Sequence, residues 1–318
     1  MSQAPAVEAI GIDVGGTFLK AARVGGDGRL RAHIELPVSK GSADDLLRQM
    51  QEAVRRLEDA GAAQAVGVGL PGIVDASTGR LYNAPNVPAL NGLDVGRELG
   101  RRTGRPCFAE NDANAAALAE AWMGAGRGAA RLLFVTLGTG VGGALVFDGR
   151  IWGGTSGYAG EVGHLQADPK GLPCGCGSWG CVETIAGVPG WERRARRALA
   201  GRESLLKDAP LLDPATVVGA ARDGDPVALE VVDEAAAAVA VGVASALNLL
   251  NLDRVVIGGG VARAGDFLLA RIVEQTRRRT FPHVFADAEF RLPDLGSDAG
   301  VVGAARVGML GVPARAAS

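Results

Sequence analysis

The sequence predicts an α/β protein of two similar lobes with a cleft between them. Three observations carry this reading. The chain has 318 residues, room for two domains of ordinary size, since domains cluster at roughly 100 to 150 residues. Short apolar, β-branched runs alternate with helically periodic stretches, the pattern of a mixed sheet protein. One motif also occurs twice: moving the sequence along by 123 positions lays Ile10 to Gly15 on Leu133 to Gly138, and both segments continue through Gly and Thr into a second strand. Repetition of a supersecondary unit points to two lobes of similar build.

Taken in order, residues 9–24 (AIGIDVGGTFLKAARV) are two apolar runs joined by Gly15-Gly16-Thr17, which predicts a β-hairpin. A third strand is expected around Arg31 to Val38. From Asp44 to Ala60 the residues Leu46, Leu47, Met50, Val54 and Leu57 recur at helical spacing, with Gly61 as the stop, and 65–70 (AVGVGL) is a buried strand. Glu110-Asn111-Asp112 precedes an Ala-rich helix reaching Met123. The second hairpin follows, then a strand near Arg150 to Trp152, a Cys-rich insert, helices, and the buried strand Val255 to Ile257, which opens on Gly258-Gly259-Gly260. Residues 298–310 have helical periodicity and return to the first lobe. The expected division is a small lobe of residues 1–117 joined by 298–318, and a large lobe of 118–297 that carries the insert 164–181.

Composition narrows the function. Apolar residues make up 47% and charged residues 21%, the balance of a folded globular chain. The 48 glycines are about twice the usual share of roughly 7%, so backbone must approach something closely. With 33 basic and 35 acidic residues and a net charge of −2, no positive field attracts a polyanion, which argues against nucleic acid as a partner. None of the lysines (Lys20, Lys40, Lys170, Lys207) follows a GxxxxG run, so phosphate chemistry must use a scaffold other than the P-loop. The N-terminal stretch has no cationic start or apolar core, and the longest apolar run, Ala235 to Leu247, is too short for a bilayer. No membrane partner and a cytoplasmic location are therefore expected.

Three groups of residues carry chemistry. In Asp13-Val14-Gly15-Gly16-Thr17 an acid ends a buried strand, and two glycines open the turn so that backbone N–H groups can meet an anion. Gly138-Thr139-Gly140 repeats this in the second lobe. Either loop alone also fits a plain Gly-rich turn. Gly258 to Gly260 leave room for an adenine and ribose against bare backbone. At Glu110-Asn111-Asp112 two readings stand side by side: a helix N-cap, or a carboxylate that takes the proton of an attacking hydroxyl in phosphoryl transfer. His164, Cys174, Cys176 and Cys181 place one imidazole and three thiols within eighteen residues, a donor set for tetrahedral structural zinc. Cys107, far from them, is a small buried hydrophobe.

Together these residues resemble the ROK family of sugar kinases, which share the duplicated actin-like (ribonuclease H-like) fold of hexokinases and acetate kinase, two lobes with a cleft between them. The resemblance runs from DVGGT (13–17) through LPG (70–72), END (110–112), LGTGVGG (137–143), EVGH (161–164) and CGCGSWGC (174–181) with Glu183, to IGGG (257–260). It implies an ATP-dependent hexose kinase, glucokinase-like, with Asp112 as the catalytic base. It implies a sugar site of Gly72, Asn86, Asn111, Asp112, Glu161, His164 and Glu183. ATP would lie against Gly15, Gly16, Thr17, Gly138, Thr139, Gly140, Gly258, Gly259 and Gly260, with Asp13 near Mg²⁺. The structural Zn²⁺ would be held by His164, Cys174, Cys176 and Cys181, His164 also contacting the sugar through its other ring nitrogen. A homo-oligomer, dimer or tetramer, is implied as well. The chain departs from the family at Phe18, where many members carry a polar residue, often Lys.

The reading is transfer of the γ-phosphoryl group of ATP to the 6-OH of glucose. N-acetylmannosamine, fructose, mannose or allose are the alternative substrates, and a non-catalytic sugar sensor is the alternative class. The family's repressors carry a DNA-reading domain ahead of the first phosphate loop; here Asp13 stands close to Met1, so a repressor is not expected.

Overall fold

The computed structural model describes residues 8–58, 63–75, 78–84 and 86–312. Among these, residues cluster into two compact units: 8–128 with 149–159 and 294–312, and 129–148 with 160–293.

The first unit begins with the expected hairpin. Strands β1 (Ala9–Val14) and β2 (Phe18–Val24) pair antiparallel, with Asp13 opposite Lys20. Strand β3 (Leu30–Pro37) lies beside β2, and α1 (Ala43–Glu58) buries the predicted stripe Leu46, Leu47, Met50, Val54 and Leu57. The stop expected at Ala60-Gly61 lies outside the described residues. Strand β4 (Ala65–Leu70) is buried along its whole length and runs parallel to β1, after which β5 (Ile73–Val74) and β6 (Leu81–Tyr82) form a small ribbon. Helix α2 (Val95–Thr103) leads to β7 (Cys107–Asn111), parallel to β4, and on into α3 (Asp112–Met123). The sheet order is β3-β2-β1-β4-β7.

The second unit repeats the plan. Strands β8 (Arg131–Leu137) and β9 (Val141–Phe147) are the second hairpin, and the short β10 (Arg150–Ile151) groups with the first unit. Helices α4 (Val182–Ala186), α5 (Val188–Leu199), α6 (Pro214–Arg222) and α7 (Pro226–Leu250) precede β11 (Arg254–Gly258), which runs parallel to β8. Then come α8 (Asp266–Arg277), α9 (Pro282–Asp287) and β12 (Glu289–Arg291), parallel to β11. Val231, Val239, Val243 and Leu247 of α7 share one core with Leu133, Val135, Val255 and Ile257 of the sheet. Each unit thus has a hairpin whose first strand is also flanked by a parallel strand, the topology expected of the repeated motif.

Residues 299–311 form the helix their periodicity suggested, α10 (Ala299–Gly311), which belongs to the first unit. It explains part of the glycine excess. A Cβ at Gly11 would fall on the carbonyl oxygen of Val301, and one at Gly67 on that of Ala304, so α10 lies with its backbone directly on β1 and β4. The same closeness extends to α3. Residue 117 falls inside α3, and α3 stays whole in the first unit because α10 packs on its backbone: a Cβ at Gly303 would meet the carbonyl oxygen of Ala115. Among the described residues no helix is long and apolar enough to cross a membrane.

Candidate functional site

In the first unit, chemistry gathers where β1, β4 and β7 end. Asn111, the last residue of β7, is the N-cap of α3: its Oδ1 accepts the N–H of Asn114 at 3.0 Å. The cap role weighed for Asp112 therefore belongs to its neighbour, and Asp112 is the first residue of the helix. Its Oδ1 accepts the N–H of Ala113 at 2.8 Å and the Asn111 amide at 3.2 Å. The same amide donates to the carbonyl of Gly72 at 2.7 Å. Gly72 has φ of 128°, and a Cβ there would press on the Tyr82 carbonyl and Ala84, so only glycine places that carbonyl under Asn111. Glu110 accepts from the Asn111 backbone and from the Asn114 side chain, both at 2.9 Å, and burial pushes its carboxyl up.

Burial, with the charge of Asp13 adding to it, pushes Asp112 up from 3.8 to about 6. A carboxyl in that range at neutral pH is a stronger proton acceptor than an ordinary aspartate. Asp13 is raised by burial and partly restored by Lys20 across the hairpin. A Cβ on Gly300 would fall on its carboxylate, so Asp13 lies against the first turn of α10.

The loop after β1 is closed by a bond from the Gly15 N–H to the Phe18 carbonyl at 2.9 Å, and the Thr17 carbonyl takes the N–H of Val38 at 2.8 Å. Phe18 points outward, 44% exposed. The cation at this loop comes from elsewhere: Lys40 Nζ donates to the Gly16 carbonyl. Sequence reasoning gave Lys40 no role, since 24 residues separate it from Gly16 and β3 brings it back. The Asn86 side chain lies beside Gly16, the nearest atom 3.5 Å from where a Cβ would stand.

The second unit holds the remaining residues. The loop after β8 is closed by the Gly138 N–H on the Gly140 carbonyl at 2.9 Å, and the Gly138 carbonyl accepts the Val188 N–H at 3.0 Å. Gly259 has φ of 88°, and a Cβ on it would fall on the carbonyl of Leu137, so the end of β11 lies flat on the end of β8. Gly138, Thr139 and Gly260 share a cavity of about 570 Å³ with Asp213, Arg222 and Arg263. Those last three escaped the sequence reading. Asp213 has a legible signal, being the N-cap of α6 just ahead of Pro214, with Thr216 N–H on its carboxylate at 2.8 Å.

His164, Cys174, Cys176 and Cys181 come together as expected, their donor atoms all within 4.8 Å of one another. His164 Nδ1 lies 3.6 Å from Cys174 Sγ, and the sulfurs of Cys176 and Cys181 are 3.8 Å apart. A tetrahedron of ligands with bonds of about 2.0 to 2.3 Å has edges of about 3.3 to 3.8 Å, which these two separations match, and one imidazole with three thiols is the donor set of a structural zinc ion. Burial and the neighbouring thiols push Cys181 up to about 12, and a set of thiolates packed this closely needs a cation among them. The other imidazole nitrogen, Nε2, faces Glu161 Oε2 at 3.8 Å. Burial raises the Glu161 carboxyl, His164 opposing and Glu183 adding to the rise. Glu183, in the first turn of α4, reaches both neighbours: Oε2 accepts the Val141 N–H at 3.1 Å, and Oε1 lies 3.7 Å from Cys174 Sγ. It ties the glycine loop to the cysteine cluster, which sequence spacing did not reveal.

A sheet plan used twice, with a glycine loop at the same place in each copy, defines an actin-like α/β protein. The ROK family pattern matches residues 9–308, and the chain belongs to that family. It is 39% identical to the glucokinase of Halalkalibacterium halodurans over 92% of each chain. It is 38% identical to an N-acetylmannosamine kinase of Citrobacter koseri over 81% of this chain and 85% of that one. The ROK family glucokinase of Streptomyces griseus, solved in complex with glucose and AMPPNP, superimposes with a TM-score of 0.78 at 32% identity, covering 96% of this chain and all of the other.

Proposed function

We propose that the protein is a hexose kinase that transfers the γ-phosphoryl group of MgATP to the 6-hydroxyl of glucose. The observation that carries this reading is Asp112, a carboxylate raised to about 6 at the start of α3, beside Asp13 and the glycine loop of the same unit. Phosphoryl transfer needs little covalent work from a protein: positioning, charge stabilisation and a group that takes the proton of the attacking hydroxyl. Asp112 orients the sugar hydroxyl and accepts its proton. The Asn111 amide, fixed between Gly72 and Asp112, keeps that carboxylate in place. N–H groups of the loops at 15–17 and 138–140 meet the nucleotide phosphates, Asp13 meets the magnesium that arrives with ATP, and the cavity beside Gly260 takes the nucleoside.

Gly72, Asn86, Asn111 and Asp112, with Glu161, His164 and Glu183, supply the donors and acceptors for a ring of hydroxyls. His164, Cys174, Cys176 and Cys181 would hold Zn²⁺, which supplies a fixed charge that orders their segment and, with four protein ligands, has no open position for catalysis. With Nδ1 committed to that cluster, Nε2 is left for the sugar. ATP as co-substrate and thiolates kept as ligands suit the cytoplasm.

The test is a coupled ADP-release assay on purified protein with glucose, N-acetylmannosamine, fructose, mannose and allose. Glucose is expected to give the highest kcat/KM. A higher value for N-acetylmannosamine or fructose would move the substrate within the hexose kinases, and no release with any sugar would end the kinase reading.

A further inference from the structure

The second unit contains another cavity, of about 340 Å³, whose wall is strongly basic. Lys170 stands on one side, on the segment 168–172 that leads into Cys174, and Arg193, Arg194 and Arg197 stand on the other, along α5. Their charges are only partly answered. Arg194 and Arg197 share one carboxylate, Glu234, with Nε and Nη2 each 2.8 Å from its oxygens. Arg193 spends its guanidinium on a neutral acceptor, the Thr184 carbonyl. Lys170 Nζ has no partner among the described residues, and Asp168, on the same wall, is occupied by the Lys170 backbone N–H at 2.9 Å. Four cations thus face two carboxylates, Glu234 and Asp168.

We propose that this cavity is a binding site for a small phosphate monoester dianion of the size of a sugar phosphate. Two net positive charges match a phosphate monoester near neutral pH. Guanidinium groups suit its oxygens because their planar fork can donate two parallel hydrogen bonds. The volume lies at the lower end of the range for small-molecule sites, roughly 300 to 1,000 Å³, which favours a sugar phosphate over a dinucleotide. Burial lowers the Arg194 pKa, Glu234 opposing and Arg197 adding to the fall, so a bound dianion would relieve the crowding of positive charge. A ligand spanning Lys170 and α5 would join two pieces of chain that flank functional groups. Lys170 is four residues from Cys174, and Thr184, which Arg193 grips, adjoins Glu183. The site would thereby link the supply of phosphorylated sugar to the order of the segment that carries the cysteine cluster.

The proposal is separable from the kinase reading, because it is tested by binding without turnover. The zinc-loaded full-length protein, saturated with glucose so that the sugar site is filled, is titrated calorimetrically with glucose 6-phosphate and separately with inorganic phosphate. One equivalent of glucose 6-phosphate is expected to bind. Lys170→Ala and Arg197→Ala, both at exposed positions away from the proposed reaction, should each weaken it about tenfold or more, the loss of one charge-assisted hydrogen bond. Equal binding of inorganic phosphate would assign recognition to the phosphate group alone, and weaker binding would assign it to the ester as a whole; both support the site. No saturable binding in the presence of glucose, or binding that both variants retain unchanged, would overturn it. Basal kcat and glucose KM of the two variants should match wild type, which separates this site from the catalytic one.

Discussion

The hairpins β1–β2 and β8–β9 are the same device put to different ends. Both turn on glycines, both place a strand parallel to their first strand, and both close their loop with a glycine N–H. They differ two residues before the first loop glycine. Asp13 stands at the position where the second copy has Thr136. In the first unit the acid is buried near Asp112 and raises it; in the second, the loop is braced by a carboxylate from outside the hairpin, Glu183, which is tied in turn to the cysteine cluster. In the proposed reaction the first copy supplies the acid pair Asp13 and Asp112, and the second supplies a loop braced by the neighbour of its cysteine cluster.

The largest way to break that comparison is to remove the acid that only the first copy serves. Asp112→Ala should lower kcat by about 10² to 10⁴, the usual worth of a general base, with glucose affinity by calorimetry little changed. Retention of most of the turnover would leave Asp112 a structural residue. The second copy is struck through its cluster. Cys176→Ala should lose bound zinc, read by elemental analysis, and raise glucose KM by about 10 to 100-fold while kcat falls less, because the segment with Glu161 and His164 loses its anchor. Full zinc content with normal KM would refute the assignment of Cys176.

A third pair sharpens the contrast between glycines that fold the chain and glycines that bind. Gly67→Ala forces a methyl onto the Ala304 carbonyl and should cost about 1 to 3 kcal/mol in denaturant unfolding. Nothing lies within 4 Å of where a Cβ on Gly260 would stand, so Gly260→Ala should leave stability unchanged and raise the KM for ATP. Equal losses of stability would show that both glycines serve packing.

The smallest effect concerns pH and stability. In the ligand-free protein Asp112 titrates near 6 when folded and at 3.8 when unfolded. Between those values the folded state holds the proton and the unfolded state does not, so stability falls as pH rises through this window and stays lower above it. The interval corresponds to at most about 3 kcal/mol. Asp112→Asn should therefore raise the melting temperature by a few degrees at pH 8 and by almost nothing at pH 4. A lower melting temperature at pH 8 would show that the charge at 112 stabilises the fold.

Much of this was legible locally. Alternating β-branched runs marked β1, β2, β4, β8, β9 and β11, and an apolar stripe marked α1 and α10, because these elements bury one face or all of themselves and their periodicity records it. The cysteine cluster was legible because a rare residue repeated within eight positions has few other uses. Helix α2 escaped notice although its signals were present, Asp94 at the N-cap and Gly104 in the left-handed C-cap; its nine residues give too short a pattern to stand out. Nothing in residues 112–123 says that α10, nearly two hundred residues later, lies on them.

The sequence by itself determined the repeated hairpin, the two glycine loops, the histidine and cysteine cluster and the acid that opens α3, since each is a short run whose chemistry depends only on its own residues. Only the tertiary structure decided what lay beside them: Asn111 and not Asp112 as the cap, Lys40 at the Gly16 carbonyl, Glu183 between the second loop and Cys174, and the cations of Lys170 and α5 around one cavity. The reason is physical. Periodicity and capping act over a few residues, whereas burial, ion pairing and the pKa of Asp112 depend on atoms near in space and far apart along the chain, and no local pattern encodes them.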